Sequence, residues 1–292
     1  MHVYKKLLVV VLLISLTGLG FTQNQRLKIL SWNIFMIPPT IFKSCQAERV
    51  ILLSDAVKKW DADVIIFQEA FQKKSRDQIW ERIKDQYPYE SGVTKPGFFK
   101  THSGVWIVSK YPITRQESIT YQVKKGSDRF AKKGATFIEV NMNGKKFQVI
   151  GTHVQSGSAY QAVRDLQFKQ LVDELANKYM DFNIPQFIGG DLNTDHKFTE
   201  DVKRMFSILD VLEIQHTGEP FSWNGKENTL GAKFFGTQQE ILDYILLRKQ
   251  HQGIAIIVSE IIYSPLTAEP VCKSEFNAMS DHYPVMAEIE LR

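Results

Sequence analysis

Side chains able to bind a metal ion or to move a proton stand at the ends of five predicted apolar strands. The five segments are Trp32-Asn33, Phe67-Gln68-Glu69, Gly151-Thr152-His153, Gly189-Gly190-Asp191-Leu192-Asn193 and Ser280-Asp281-His282. Because strand ends gathered at one edge of a sheet form clefts in open α/β architectures, we expect these segments to share one site. Any one of them alone would be read as a solvated or capping side chain, but together they predict a functional site.

The oxygen-rich chemistry of these segments predicts a hard divalent cation. Carboxylate or amide oxygens are offered by Asn33, Glu69, Asp191, Asn193 and Asp281. Neither a cysteine nor a His-x-x-x-His pair accompanies them, so the set favours magnesium, manganese or calcium over zinc. A Mg²⁺ ion held by one or two protein groups keeps positions open for a phosphate oxygen and polarises the phosphoryl group.

Two histidines are candidates for distinct roles. His282 follows Asp281, and Asp243 lies at the edge of another apolar strand. We expect Asp243 to hold the ring of His282, which leaves the other ring nitrogen to take a proton from water. His153, as a cation or a hydrogen-bond donor, is expected to bind a phosphate oxygen. Three further histidines stand in polar stretches that predict exposed loops: His196, His216 and His251.

The elements that must position these residues alternate between strand and helix in the first half of the chain, and strands dominate later. Predicted strands cover residues 27–33, 64–67, 104–109, 136–140, 147–153, 186–190, 241–247, 255–262 and 285–289. Predicted helices cover 48–60, 75–86 with Ser75 as cap, and 159–179. Two packed sheets with helices on both outer faces satisfy this pattern, and a three-layer α/β sheet remains the alternative.

The amino terminus predicts export. Lys5 and Lys6 precede a short apolar run and a small-residue stretch, which is the order found in secretory signal peptides. A spanning helix needs about 20 apolar residues, more than this run provides. We therefore expect a signal peptide over 1–22, one domain over 23–292, and a secreted product, extracellular or periplasmic.

The charge of the chain gives no indication of a nucleic-acid partner. The formal net charge of +4 falls to +2 without Lys5 and Lys6, which is far from the strongly basic balance of most nucleic-acid-binding proteins. We therefore expect no nucleic-acid partner. Separately, we expect the protein to be a monomer.

The two cysteines of the chain, Cys45 and Cys272, are an even count. In an exported protein an even count favours a disulfide, and two separated thiols are the alternative.

Four segments in order resemble the signatures of the endonuclease/exonuclease/phosphatase superfamily. They are Phe67-Gln68-Glu69, Gly189-Gly190-Asp191-Leu192-Asn193, Leu242-Asp243-Tyr244 and Ser280-Asp281-His282-Tyr283-Pro284-Val285. The resemblance implies a four-layer α/β/β/α sandwich of two packed mixed sheets with helices on both outer faces. It also implies a divalent metal at the acidic site and in-line attack of water on a phosphate ester.

A finer resemblance is to bacterial sphingomyelinases C, and it rests on residues 32–36, 104–113, 133–135 and 150–155. It implies hydrolysis of sphingomyelin to ceramide and phosphocholine at a membrane surface, with Mg²⁺ as cofactor and Mn²⁺ as a substitute. By the same resemblance His282 is the general base. The principal metal ligand it implies is Glu69, with Asn33 close by, and Asp281 joins them as a candidate ligand because of its carboxylate oxygens. The residues it implies around the scissile phosphate are Asp191, Asn193 and His153.

The chain departs from the secreted toxins of that family in the stretch before Asp281. An aromatic-rich hairpin of the toxins corresponds here to a shorter segment, in which Pro265 and Pro270 disfavour strand pairing and Phe276 is the one aromatic residue. We therefore do not expect this segment to insert into membranes.

Other residues are candidates for contact with the lipid. The apolar loop 34–42 and the basic cluster that ends at Lys133 suggest Phe35, Met36 and Lys133 as contacts, and a buried connection is the alternative reading of the loop.

Two other classes of function compete with this reading: another phosphoesterase of the same fold, and a non-catalytic binding module. A nuclease, or a phosphatase or phospholipase C acting on another ester, would use the same fold, and a nuclease requires a basic groove. A non-catalytic binding module requires a missing site residue, and none is missing.

Overall fold

The structure of the protein, a computed structural model, describes residues 25–93, 102–212 and 215–292. The predicted signal peptide, 1–22, lies outside the described residues. The helices are α1 (Gln46–Trp60), α2 (Lys73–Ile83), α3 (Gln161–Leu171), α4 (Thr199–Leu209) and α5 (Thr229–Phe235). The strands are β1 (Gln25–Asn33), β2 (Val64–Gln68), β3 (Tyr89–Glu90), β4 (Trp106–Ser109), β5 (Ile113–Thr120), β6 (Gly134–Met142), β7 (Lys145–His153), β8 (Gln186–Asp191), β9 (His216–Gly218), β10 (Trp223–Asn224), β11 (Gln239–Glu240), β12 (Asp243–Leu247), β13 (Ala255–Ile262), β14 (Leu266–Val271), β15 (Phe276–Ala278) and β16 (Val285–Leu291).

Two sheets make the centre of the fold. One has the strand order β3-β4-β2-β1-β16-β13-β9 and the other the order β12-β8-β7-β6-β5. Both are mixed, since β1 runs parallel to β2 but antiparallel to β16, and β7 runs parallel to β8 while β12 runs antiparallel to it. The parallel pairs bring the carboxyl ends of β1, β2, β7 and β8 to the positions where the candidate site residues begin.

The sheets pack face to face through branched apolar side chains. Ile29, Val64 and Ile66 of the first sheet share a buried cluster with Val149 and Ile245 of the second. The sheets approach closely because glycines face Ile66. A Cβ at Gly151 would come within 2.6 Å of the Ile66 side chain.

Helices cover the two outer faces. Leu53 of α1 and Ile79 of α2 pack with Trp32 on the first sheet. Phe168 of α3 and Met205 of α4 belong to the cluster on the second sheet. The resulting order of layers, helix, sheet, sheet, helix, confirms the predicted α/β/β/α sandwich.

Several element predictions need correction. Helix α2 begins at Lys73, so Ser75 lies in its first turn, where its hydroxyl bonds the Gln72 side chain. The helix predicted over 159–179 ends at Leu171 and continues as a π-helical turn, Val172–Ala176.

Among the elements without a prediction are the strand β5 and the helix α4. Strand β5 lies at a sheet edge with mostly exposed side chains, so it lacks the apolar run that marks a buried strand. In α4 the apolar spacing is present in the sequence, at Val202, Met205, Phe206 and Leu209.

The segment before the terminal strand does pair, contrary to the expectation drawn from its prolines. Strands β14 and β15 meet at Leu266↔Ala278 and Val271↔Phe276, with a register shift between the two pairs. Pairing at the ends alone accommodates Pro270, whose missing N–H falls in the irregular stretch. Phe276 is buried, so this hairpin does not present it to solvent.

A disulfide joins Cys45, the residue before α1, to Cys272, the residue after β14, with a Cα–Cα distance of 5.6 Å. It ties the first outer helix to the hairpin. Across residues 25–93, 102–212 and 215–292, none of the helices combines the length and the hydropathy of a membrane-spanning segment.

Candidate active site

The strand ends bring the predicted residues to one place. Asn33 ends β1 and Glu69 follows β2, while His153 ends β7 and Asp191 ends β8. The pairing of β7 with β8 sets His153 beside Asp191, and the antiparallel pairing of β12 with β8 sets Asp243 opposite Asp191. The sheet topology therefore gathers side chains that lie far apart in the sequence.

His282 is held by a carboxylate, as the sequence predicts. Its Nδ1 lies 2.8 Å from Oδ2 of Asp243, and its Nε2 lies 3.7 Å from Oδ2 of Asp191. The indole N–H of Trp32 donates to the His282 carbonyl at 2.9 Å, which fixes the backbone as well. Burial opposes a charge on the ring, but the carboxylates of Asp243 and Asp191 outweigh it and raise the pKa of His282 well above its usual range.

His153 lies on the other side of Asp191. Its Nε2 is 2.9 Å from Nζ of Lys133 and 3.3 Å from Oδ2 of Asp191, and its Nδ1 has no hydrogen-bond partner. Burial, with the positive charge of Lys133 beside it, lowers the pKa of His153 well below its usual range. This environment therefore favours the neutral ring of His153, acting as a hydrogen-bond donor, over the cation.

Lys133 does not occupy the position expected of a lipid contact. Its side chain is buried, and its ammonium group forms an ion pair with Asp128 at 2.9 Å and donates to the Val154 carbonyl. The expectation that it contacts the membrane is therefore wrong, because the charge lies inside the site. Lys133 lines the same cavity as Glu69 and His282, so its predicted contact with the substrate stays a prediction.

The acidic residues have the properties of a divalent-cation site. Oε2 of Glu69 is buried without a hydrogen-bond partner, and burial together with the charge of Asp281 raises the pKa of Glu69 to about 8. Burial also raises the pKa of Asp281. Nδ2 of Asn33 donates to Oδ2 of Asp191 at 3.1 Å. Buried carboxylates whose charges act on each other need a positive charge to ionise, and oxygen ligands suit Mg²⁺.

A second set of candidate ligand atoms comes from Asp191, Asp243 and His282, which lie within 4.8 Å of one another. We favour the set around Glu69 as the metal site. Asp243 and His282 already share a hydrogen bond, so a cation bound there would compete with the orientation of the His282 ring. Oε2 of Glu69 is buried without a partner and is engaged in no such pair, although Oδ1 of Asp243 is also buried without one.

Two of these residues have a backbone in the left-handed region, which costs side-chain-bearing residues about 1–3 kcal/mol each. Glu69 has φ 54° and Asn193 has φ 47°. Asn193 is held there by its N–H, which donates to Oδ1 of Asp191 at 3.0 Å. In both cases the turn directly follows a strand end and brings a polar side chain into the site.

Arg49 is a site residue that the sequence reading missed. Its guanidinium is fully buried and donates to the carbonyls of Ile34, Phe35 and Met279. These carbonyls belong to the segments that follow Asn33 and precede Asp281. Burial lowers the pKa of Arg49 to about 10, and the charges of Asp281 and Glu69 oppose that shift. An arginine among the apolar positions of α1 was the available signal.

The site forms the floor of a cavity of about 740 Å³. The floor is charged, with Glu69, His153, Asp191, Asp281 and His282, and Asn193 also lines it. The walls are largely apolar and include Ile37, Pro38, Phe42, Phe71 and Trp223.

Phe35 and Met36 do not line the cavity and are completely buried, so the prediction that they contact lipid is wrong. Phe35 has φ 47° and packs its ring against Phe42 and Phe234, which turns it into the core. The alternative reading of this part of the loop, a buried connection, is correct.

Two of the histidines predicted to be exposed are not. His251 is fully buried, with its Nε2 2.9 Å from the Asp181 carbonyl, and the His216 side chain lies 3.8 Å from the buried carboxylate of Glu260. His196 is exposed, as predicted.

A protein-family model described as "Endonuclease/Exonuclease/phosphatase family" matches residues 30–282 of the chain, which include every segment of the site. The chain belongs to this family. Its relatives include a sphingomyelinase C of Leptospira interrogans, 32% identical over 93% of this chain and 53% of the relative. A phospholipase C of Staphylococcus aureus is 30% identical over 91% of this chain and 88% of the relative. The chain thus spans about half the length of the Leptospira interrogans protein.

Solved structures agree with this assignment. Sphingomyelinase C from Streptomyces griseocarneus is 26% identical and superposes with a TM-score of 0.81, covering 90% of this chain and 99% of that one. A beta toxin mutant from Staphylococcus aureus, solved with bound magnesium ions, is 27% identical with a TM-score of 0.82 over the same shares. The fold and the family therefore agree with what the sequence motifs predict.

Proposed function

We propose that the protein is a secreted, Mg²⁺-dependent sphingomyelinase C that hydrolyses sphingomyelin to ceramide and phosphocholine. The observation that carries this proposal is the hydrogen bond between His282 and Asp243 on the charged floor of an apolar-walled cavity. Such a cavity suits a phosphodiester whose other end is apolar. The names of the related sphingomyelinases C support the same substrate class.

In the proposed mechanism, Asp243 fixes the ring of His282 through Nδ1, and Nε2 takes a proton from the attacking water. The water oxygen bonds to phosphorus in line with the ceramide oxygen, the bond between phosphorus and that oxygen breaks, and ceramide leaves with a proton from solvent. His153 and Asn193 flank Asp191 on the side where the phosphate oxygens would lie. Lys133 contributes a fixed positive charge beside them.

Glu69, Asn33 and Asp281 are the residues that would hold the cation, because their oxygens are buried and Glu69 retains an unpartnered one. A Mg²⁺ ion there would polarise the phosphoryl group and offset its charge in the transition state. Its positive charge would also lower the pKa of the nearby His282, which favours the neutral form that a base requires.

Secretion is part of the proposal and rests on the charged, apolar and small-residue order of the first 22 residues. The lipid substrate implies that the protein works at a membrane surface, and we expect it to do so as a monomer. Mn²⁺ is expected to replace Mg²⁺, since both prefer oxygen ligands.

The test is a substrate comparison with purified protein. Sphingomyelin, phosphatidylcholine and plasmid DNA are offered side by side with Mg²⁺, and phosphocholine release and strand cleavage are measured. We expect phosphocholine from sphingomyelin, loss of activity with a chelator, and recovery with Mg²⁺ or Mn²⁺. Preferential cleavage of DNA, or full activity after exhaustive chelation, would overturn the proposal.

A further inference from the structure

Three large apolar side chains stand exposed where they line the catalytic cavity. Ile41 is 63% exposed, Phe130 is 72% exposed and Phe235 is 46% exposed, and all three line the cavity whose floor holds His282. They come from three separate segments: the loop after β1, the 3₁₀ turn Gly126–Phe130, and the end of α5. We call these three residues the rim.

Each rim residue is fixed by ordered neighbours. Phe235 packs edge-on against Phe35 and also contacts the ring of Phe42. The N–H of Ile41 donates to the carbonyl of Pro38 at 2.9 Å. These contacts therefore hold the side chains of Ile41 and Phe235 in their exposed positions.

The turn that carries Phe130 is anchored as well. Asp128, two residues earlier, is buried, forms the ion pair with Lys133, and accepts from the Ser156 N–H at 2.8 Å. The position of Phe130 is thus linked to the site floor.

The cavity therefore changes from charged at its floor to apolar at its rim. Exposed cations lie next to rim residues in the sequence, at Lys43 and Arg129. Apolar groups flanked by cations match the interface of a bilayer, where acyl chains lie beneath charged headgroups. A protein seated on the rim would instead cover the opening through which a substrate reaches His282.

We infer that the rim, Ile41, Phe130 and Phe235, is the surface by which the protein docks on a phospholipid bilayer. The three side chains enter the acyl region, so that a lipid phosphate at the bilayer surface meets the charged floor while its apolar part stays in the membrane. This inference rests on the proposed function, because it takes the substrate to be a membrane lipid. It assigns membrane contact to residues other than Phe35, Met36 and Lys133, which are buried.

The test compares two triple variants in a His282→Ala background with Mg²⁺ present, so that the lipid is not consumed. The rim variant carries Ile41→Ser, Phe130→Ser and Phe235→Ser. The matched control carries Ile51→Ser, Phe182→Ser and Val258→Ser, three side chains that are 47%, 70% and 64% exposed and do not line the cavity. Binding is measured by co-sedimentation with vesicles of phosphatidylcholine and sphingomyelin.

Partial burial of one such side chain in the bilayer corresponds to about a tenfold change in its partitioning from water to membrane. Because the rim variant lacks three of them, it should bind vesicles at least about 100-fold more weakly. The control variant should bind like its parent. Equal binding by the rim variant, or an equal loss in the control, would overturn the inference. A parent that elutes as a dimer without lipid, with a monomeric rim variant, would assign the rim to a second copy and would also overturn it.

Two further measurements guard against misfolding and separate this inference from the proposed function. Single substitutions Phe130→Trp and Phe182→Trp report on insertion, and vesicles should shift the added fluorescence to the blue for Phe130→Trp only. The rim variant should also keep the far-UV circular dichroism spectrum of its parent, so that weaker binding to vesicles reports on the surface and not on unfolding. A parent that releases no phosphocholine refutes the proposed function, whereas unchanged vesicle binding by the rim variant refutes the docking surface alone.

Discussion

Replacement of Arg49 by methionine tests how the fold holds the two segments that border the acidic site. The guanidinium donates to the Met279 carbonyl at 2.7 Å, the Phe35 carbonyl at 3.0 Å and the Ile34 carbonyl at 2.5 Å. Methionine fills a similar volume but donates no hydrogen bond. Arg49→Met therefore leaves three buried carbonyl oxygens without their donor.

Each buried oxygen left unsatisfied costs about 1–3 kcal/mol. Removal of a buried cation recovers part of its desolvation cost. For the three carbonyls together we therefore expect a net loss of stability at the lower end of this range, about 3 kcal/mol. That is a large part of the roughly 5–15 kcal/mol by which domains are stable. Arg49 is also close enough to Asp281 and Glu69 to influence their charge. Arg49 also fixes the segments that carry the proposed ligands Asn33 and Asp281, so its loss should displace them and raise the Mg²⁺ concentration needed for half-maximal activity.

The assay is urea unfolding monitored by tryptophan fluorescence. The dependence of the hydrolysis rate on Mg²⁺ concentration is measured alongside. Arg49→Lys keeps the charge but loses the planar set of donors, so it should lose less stability and retain more of the metal affinity. The control is Arg82→Met, because Arg82 is part of an exposed ion pair with Asp55 and should change stability by about 0.5 kcal/mol or less. Stability and Mg²⁺ dependence of Arg49→Met equal to those of the parent would refute the reasoning.

Three further predictions follow from the same structure. The disulfide between Cys45 and Cys272 spans 227 residues, for which loop-closure entropy predicts a stabilisation of about 5 kcal/mol. The variant with both cysteines replaced by serine should therefore unfold at a clearly lower urea concentration, and an unchanged midpoint would contradict this. His282→Ala should lower turnover by about 10²–10⁴ and abolish the acidic limb of the pH–rate profile, whereas His153→Ala should lower the rate and keep that limb; the reverse result would exchange their roles. Burial raises the pKa of Glu260 well above its usual value, so the folded chain retains a proton that the unfolded chain releases above about pH 4.5, and stability falls as the pH rises. Relative to the parent, Glu260→Gln should therefore gain about 1.4 kcal/mol per pH unit from about pH 5 upward, until the raised pKa of the folded state is reached, and a pH-independent difference would refute this.

The residues of the catalytic floor were predictable because each follows or precedes a short apolar strand. Strand ends are marked locally in the sequence, and parallel pairing then brings residues such as His153 and Asp191 together. The hydrogen bond between Asp243 and His282 was predictable for the same reason, since both residues adjoin strands.

What could not be predicted depends on contacts between distant segments. The burial of Phe35 results from a left-handed turn and from aromatic neighbours on α5, and neither is visible in residues 34–42 alone. The position of Lys133 depends on Asp128 and on the end of β7. Arg49 acts through backbone carbonyls of distant segments, and the one signal in the sequence is its place among the apolar positions of α1. The pairing of β14 with β15 depends on a register shift that tolerates Pro270.

In the proposed reaction a water activated by His282 attacks the phosphorus of sphingomyelin. Hydrolysis of sphingomyelin in ¹⁸O-labelled water with Mg²⁺, followed by mass spectrometry of both products, tests it directly. We expect one ¹⁸O atom in phosphocholine and none in ceramide, with product formation reduced about 10²–10⁴-fold in His282→Ala. Label in the ceramide hydroxyl, or no release of ceramide and phosphocholine by the parent protein, would contradict it.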